Sequence, residues 1–275
     1  MKIDKIVIFG ANGMLGTNLV KTFKYYDIYA FSKSQVNITN RNVVFNKISK
    51  IKPSLVINSA AYTNVDGSEK NRKKAFNVNG EAVKIVAEAC KKNKAIMIHF
   101  STDSVFDGRK KGGYKENDEV NPINAYGKSK ALGEKYLIET LDNYYLIRTS
   151  WLFGGHEENF VNNILKLAKE NKELKVVNDQ FGRPTYIKDL AENIKEIVTT
   201  KKLFGIYHIT NSGTTTWFKF AKKIIKLAHL NNQVKQMKLK ELDGLAKRPK
   251  YSVLLNTKLP TLRHWSSALK EYLGI

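Results

Sequence analysis

The segment Lys5-Ile-Val-Ile-Phe-Gly-Ala-Asn-Gly-Met-Leu-Gly16 constrains this chain more than any other. A short, β-branched apolar run ending at a glycine reads as a fully buried strand, and helical spacing resumes from Met14 to about Phe23. Between the two, the glycines are spaced G-x-x-G-x-x-G. Gly10 permits the tight turn, Gly13 lets a pyrophosphate approach the backbone, and Gly16 allows the helix to pack closely on the strand. Strand, glycine turn and helix in that order predict a dinucleotide-binding unit.

The chain then repeats this alternation. Strands are predicted over Ile28–Phe31, Leu55–Asn58, Ile96–Phe100 and Tyr144–Arg148, and helices over Val43–Ile51, Phe76–Lys92 and residues 126–141. The Phe76–Lys92 helix carries Val78, Val83, Val86, Ala87 and Cys90 on one side. This is the pattern of an α/β protein with a Rossmann-type, doubly wound parallel sheet, expected over residues 1–150. After Trp151 the alternation loosens. Helical spacing covers Phe160–Ala168, Ile187–Thr199, Trp217–Ala228 and a last stretch from about Ser266, with short strands at Lys175–Val177 and Ile206–Ile209. No Gly-, Ser- or Pro-rich linker separates the halves. Residues 151–275 therefore read as a smaller C-terminal α/β substrate lobe in intimate contact with the core, some of its segments returning to the Rossmann sheet.

The 47 basic and 25 acidic residues give a net charge of +22, which raises the question of nucleic acid. Only seven of the basic residues are Arg, and the lysines are spread along the chain instead of forming an arm or a stripe. A solvated lysine surface with some attraction for anionic small substrates fits better, so no nucleic-acid partner is expected. No uncharged apolar stretch approaches the ~18–20 residues of a membrane span. The N-terminal run, with Asp4 and Lys5 inside it and no small-residue cleavage site, does not read as a signal peptide. The lone cysteine, Cys90, reads as a small buried apolar group. A cytoplasmic location is expected.

A ribose-binding acid is expected about 20 residues after the glycines. The chain there reads Ala30-Phe31-Ser32-Lys33-Ser34, with no acid. A hydroxyl and an ammonium suit a 2′-phosphate, which favours NADPH and leaves NADH open; Lys33 also reads as one more solvated lysine. Further on, Tyr126 and Lys130 stand four apart, on one face of a helix. A phenol ionises near ~10 and needs a neighbouring ammonium to work as an acid at neutral pH. Thr102, in Ser101-Thr102-Asp103 at the end of a predicted strand, is placed to hold a substrate carbonyl oxygen while Tyr126 protonates it. His99, just inside that strand, reads as core, and Asp66 and Glu69 as loop and helix-start residues. Arg183 and Arg248 suit a substrate pyrophosphate or, equally, structural ion pairs.

Six segments together resemble the dTDP-4-dehydrorhamnose reductase family, within the extended short-chain dehydrogenases/reductases. They are Asn58–Asp66, Ser101–Gly108, Tyr126–Glu134, Arg148–Gly154, Asn178–Thr185 (with its Asp-Gln-Phe-Gly-Arg-Pro-Thr run) and Arg248–Ser252. The resemblance implies NAD(P)H-dependent reduction of the 4-keto group of dTDP-6-deoxy-L-lyxo-4-hexulose to dTDP-L-rhamnose. It implies that Gly10, Asn12, Gly13, Met14, Leu15, Ser32, Lys33, Asn37, Ile38, Ala60, Ala61, Tyr62, Thr63 and Phe100, with Tyr126 and Lys130, surround the cofactor. Thr102, Asp103, Ser104 and Trp151 would meet the dTDP-linked sugar, with Arg183 and Arg248 on its phosphates. Ser104 stands where the family usually has Tyr, which leaves the exact sugar open; Asn37 stands where it usually has Asp before the adenine contact, a modest change from carboxylate to amide. Some members bind Mg²⁺ through glutamates at a dimer interface; no matching glutamates are placed here, so no metal is expected, and a homodimer stays open. Two rival readings remain: another nucleotide-sugar 4-ketoreductase or epimerase, and a non-catalytic regulatory subunit on the same scaffold.

Overall fold

A computed structural model of the chain describes residues 3–155, 158–241 and 243–275. Met1 and Lys2, where the N-terminal run begins, lie outside the described residues. Its centre is a six-stranded, all-parallel sheet. The strands are β1 (Lys5–Phe9), β2 (Asp27–Phe31), β3 (Leu55–Asn58), β4 (Ile96–Thr102), β5 (Tyr144–Thr149) and the strand Gly205–His208. β1 lies between β2 and β3, and the order continues through β4 and β5 to Gly205–His208 at the far edge. The chain thus moves outward from β1 to β2 and crosses back to β3. A crevice opens at such a switch point, beyond the carboxyl ends of the strands.

Period-two alternation explains why both faces are covered. Ile6 and Ile8 of β1 and Ile96 and Ile98 of β4 join one core, with helices α1 (Met14–Thr22) and α8 (Ile187–Thr199). Val7 and Phe9 point the other way and join Val56 and Met97 in a second core, beneath α2 (Arg41–Ile51), α5 (Ala82–Lys92) and α6 (Ala125–Thr140). Each such side chain, fully buried, contributes about 1.5–3 kcal/mol. The sixth strand and α8 both come from beyond Trp151, so the second half of the chain supplies part of the sheet layer.

A third core gathers α7 (Phe160–Glu170), α9 (Trp217–Leu227) and α10 (Trp265–Tyr272) around Phe153, Phe220 and Ile224. It includes Leu174 and Val176 of the strand Glu173–Val177, which pairs in parallel with Gln233–Met237. The apolar spacing of α9, with Phe220, Ala221, Ile224 and Ile225 buried, is that of a helix lying on one face.

One predicted element differs. The single helix expected over Phe76–Lys92 is broken: the short helices α3 (Val65–Lys70) and α4 (Arg72–Phe76) lead into a π-helical segment, Asn77–Glu81, before α5. The π turn directs Asn79 into the interior. Its amide accepts from Tyr62 N at 2.8 Å and donates to Tyr62 O and to Ser129 Oγ of α6. Apolar periodicity does not show this insertion, because α5 keeps its own buried face of Val83, Val86, Ala87 and Cys90 after it.

Candidate active site

The glycine turn forms as its spacing requires. Gly10 has φ +75°, and a Cβ there would come within 2.7 Å of Ala60 N. A Cβ on Gly16 would collide with Gly10 O, so only glycine lets α1 sit this close to β1. Beyond the ends of β1–β3 lies a cavity of about 210 Å³. Gly10, Asn12 and Gly13 form one side, and Lys33, Asn37 and Ile38 another. Ala60, Ala61 and Tyr62 close it. Val36, Ser59, Lys74 and Val78 also border it; of these only Val78 stood out in the sequence, as part of an apolar helix face. Two lysines and no carboxylate line this cavity at the N-terminus of α1, a charge balance that suits a phosphorylated dinucleotide.

Other residues expected at the cofactor do not border this cavity. Leu15 is buried in the first core and Met14 packs against it. The Ser32 hydroxyl donates to Gln35 Oε1 at 3.0 Å, and Thr63 is exposed. Phe100 is buried and offers its carbonyl oxygen to Lys130.

Tyr126 and Lys130 lie in the first turns of α6, whose N-terminus is fixed from two sides. Asn124 Oδ1 accepts from Gly127 N at 2.7 Å, and Glu69 Oε1 accepts from Ala125 N at 2.8 Å. Gly127 is needed because any Cβ would strike Ser104 O. The Tyr126 hydroxyl is deep enough that burial pushes its pKa up to about 12, with the Asp103 carboxylate adding to the rise and a hydrogen bond with Thr102 opposing it. Lys130, expected to lower this pKa together with the bound cofactor, turns its ammonium to β4. That ammonium donates to Phe100 O at 2.5 Å and faces His99, and burial brings its own pKa down to about 8. Thr102 Oγ1 donates to Asp103 Oδ1 at 3.0 Å, and burial raises the Asp103 pKa to about 6.

Asp103 and Ser104 in turn border a second, larger cavity of about 490 Å³. Its wall is aromatic: Trp151 and Trp217 stack with centroids 3.6 Å apart and planes 9° from parallel, and Phe160 lies 4.4 Å from Trp217. Trp217 Nε1 donates to Gln180 Oε1 at 3.1 Å. Trp151 has φ +49°, a backbone conformation costly for a bulky residue. Arg248 edges the cavity, and its Nη2 donates to Asp66 Oδ2 at 2.5 Å. Arg183 is not on the wall; its Nη1 donates to Leu254 O at 3.0 Å, which makes it a loop-holding residue. Lys175, Gln180 and Trp217 were missed as wall residues, since they come from a strand, the loop after it and a distant helix and share no local spacing.

Among the described residues, no group of three or more His, Cys, Asp or Glu side chains is arranged to hold a metal, and no helix is long and apolar enough to cross a membrane. The glycine turn, the switch-point cavity and the Tyr126–Lys130 pair on α6 are the layout of an extended short-chain dehydrogenase/reductase, an NAD(P)-binding oxidoreductase built on a Rossmann-type sheet. The chain belongs to the RmlD substrate binding domain family, which it matches over residues 4–275. It is 39% identical to the dTDP-4-dehydrorhamnose reductase of Aggregatibacter actinomycetemcomitans, across 97% of each protein. It is 38% identical to the spore coat polysaccharide biosynthesis protein SpsK of Bacillus subtilis, across 98% of this chain and 97% of that one. Its fold superposes on a crystal structure of dTDP-4-dehydrorhamnose reductase from Bacillus anthracis in complex with NADP, with a TM-score of 0.96, 38% identity and 99% of each chain covered.

Proposed function

We propose that this protein uses NADPH to reduce the 4-keto group of dTDP-6-deoxy-L-lyxo-4-hexulose to dTDP-L-rhamnose, with Tyr126 as proton donor. The observation that carries the reading is the gathering of the Tyr126 phenol with Thr102 and Asp103, which are hydrogen-bonded to each other at 3.0 Å, at the wall of an aromatic cavity that Asp103 borders. Full-length relatives that are dTDP-4-dehydrorhamnose reductases, and a like-folded structure that holds NADP, support it.

Gly10, Gly13, Lys33, Asn37 and Tyr62 would hold the cofactor, with Lys33 on the 2′-phosphate and Lys130 on the ribose of its nicotinamide end. When bound, NADPH supplies a hydride to the sugar carbonyl carbon. The Tyr126 phenol is protonated at neutral pH and would give its proton to the developing alkoxide, with the Lys130 ammonium one turn away to ease that transfer. Thr102 steadies the sugar oxygen beside it. Trp151 and Trp217 offer a flat apolar surface to the base, and Arg248 and Lys175 are the cations for the diphosphate. We read the enzyme as cytoplasmic.

Ser104 on the cavity wall, together with a 32% identical dTDP-4-keto-6-deoxy-D-glucose reductase of Streptomyces niveus, keeps a neighbouring 4-keto sugar as the second reading. The test is loss of NADPH absorbance on adding the dTDP-linked 4-ketohexulose. One NADPH consumed per dTDP-L-rhamnose formed supports the first reading. Oxidation only with a different 4-keto sugar moves it to the second, and no oxidation despite NADPH binding rejects both.

A further inference from the structure

An ammonium has three N–H donors to direct. One of those on Lys130 goes to Phe100 O at 2.5 Å, and a second faces His99 Nε2 at 3.4 Å, all within the buried end of β4 beneath α6. His99 is paired in register with Asn58 of β3, and its Nδ1 lies 3.4 Å from the Asn58 amide. The Asn58 main chain also hydrogen-bonds the imidazole. Both flanking amino groups, Asn58 Nδ2 and Lys130 Nζ, are donors, so a neutral imidazole accepts from only one of them; with its proton on Nδ1, against the β3 backbone, it is Nε2 that presents a lone pair to Lys130. Burial and the ammonium itself hold His99 well below the usual imidazole range, so the ring is neutral at physiological pH.

We infer that His99 is a positioning residue of this site: by accepting from Lys130 on one side while β3 fixes it on the other, it aims the remaining N–H of that lysine at the bound cofactor. The inference rests on the reading of Lys130 as a cofactor-holding residue. Core packing alone does not require an imidazole here, because β4 places Met97, Ile98 and Phe100 at the neighbouring buried positions. The other groups facing Lys130 are few. On α6 they are Tyr126, one turn before it, and Glu134, one turn after, whose charge is shared with Arg148 of β5. Asp103 follows β4, and from β3 the facing group is the uncharged Asn58.

The test uses two amide variants that differ only in reach. In His99→Asn the shorter side chain brings its amide only as far as the position of Nδ1, whereas His99→Gln carries an amide oxygen to that of Nε2. NADPH affinity is measured from pH 6 to 9.5 by energy transfer from tryptophan to the nicotinamide. The wild-type protein loses affinity as the Lys130 ammonium deprotonates. His99→Asn removes an acceptor from the charged form, so this limb moves to lower pH by about one unit. His99→Gln restores it to within a few tenths. Three superimposable profiles, or equal shifts in both variants, overturn the inference.

A second measurement covers the case in which His99→Asn does not fold. In Lys130→Met, the His99 ring, followed by NMR among only five histidines, titrates at higher pH than in the wild type because its cationic neighbour is gone. An unchanged His99 titration overturns the inference. Neither readout involves the sugar, so failure of the proposed reduction and failure of this anchoring are separately visible.

Discussion

The Trp151 and Trp217 rings lie face to face, 3.6 Å apart and 9° from parallel, on the wall of the larger cavity. One ring follows the sheet strand β5 and the other opens α9 of the lobe, so the stack ties the two cores together at the site. A Cβ on Gly182 would come within 2.6 Å of the Trp151 indole, so the neighbouring loop leaves room for this ring.

Each of the two tryptophans is expected to matter for nucleotide binding. Stacking of a base on an aromatic ring is worth about 1–3 kcal/mol. Trp151→Ala and Trp217→Ala should therefore each weaken dTDP binding by roughly 5- to 100-fold in calorimetry while leaving NADPH affinity within about two-fold. Unchanged dTDP affinity in both would place the base elsewhere.

The Glu134–Arg148 pair carries a stability prediction. Its atoms approach to 2.6 Å with both side chains almost wholly buried, and Arg148 also contacts Glu116 O and His208. Glu134→Gln leaves the guanidinium uncompensated and should cost about 3–5 kcal/mol in urea denaturation. Glu134→Gln combined with Arg148→Met removes both charges and should recover most of that loss.

Asp103 makes the opposite contribution. Its folded pKa, about 6, lies above the usual 3.8, so the fold favours the protonated form. The associated stability is fully present below pH 4 and is lost as pH rises through 6. Asp103→Asn is therefore expected to be more stable than the wild type at pH 8, by on the order of 2–3 kcal/mol, and to show no such gain at pH 4. Denaturation curves at the two pH values decide this.

Much of the sheet and of the cofactor cavity was legible because both are written locally. Strand β3 and helix α8 have the bounds that apolar spacing predicts, and Gly10, Gly13, Lys33 and Asn37 come together through one turn and the strand beside it. What stayed hidden depends on contacts across distant segments. Asp66, read with Glu69 as a loop or helix-start residue, lies in the first turn of α3 and also binds Arg248 and Ala246 N, 180 or more positions away. His99, read as core, is buried yet faces Lys130 only because β4 runs beneath α6. Trp217 becomes a wall residue only once the lobe folds against β5, and the π turn at Asn77–Glu81 leaves no mark on the apolar period.

The Tyr126 phenol is the proposed proton donor to the sugar oxygen. The most direct test of that role is single-turnover oxidation of enzyme-bound NADPH by the dTDP-linked 4-ketohexulose, comparing wild type with Tyr126→Phe at pH 7. The phenyl ring keeps the packing and removes the proton, so the rate should fall by roughly 10²–10⁴-fold with NADPH affinity unchanged. A Tyr126→Phe protein that turns over within a few-fold of the wild type would contradict the account.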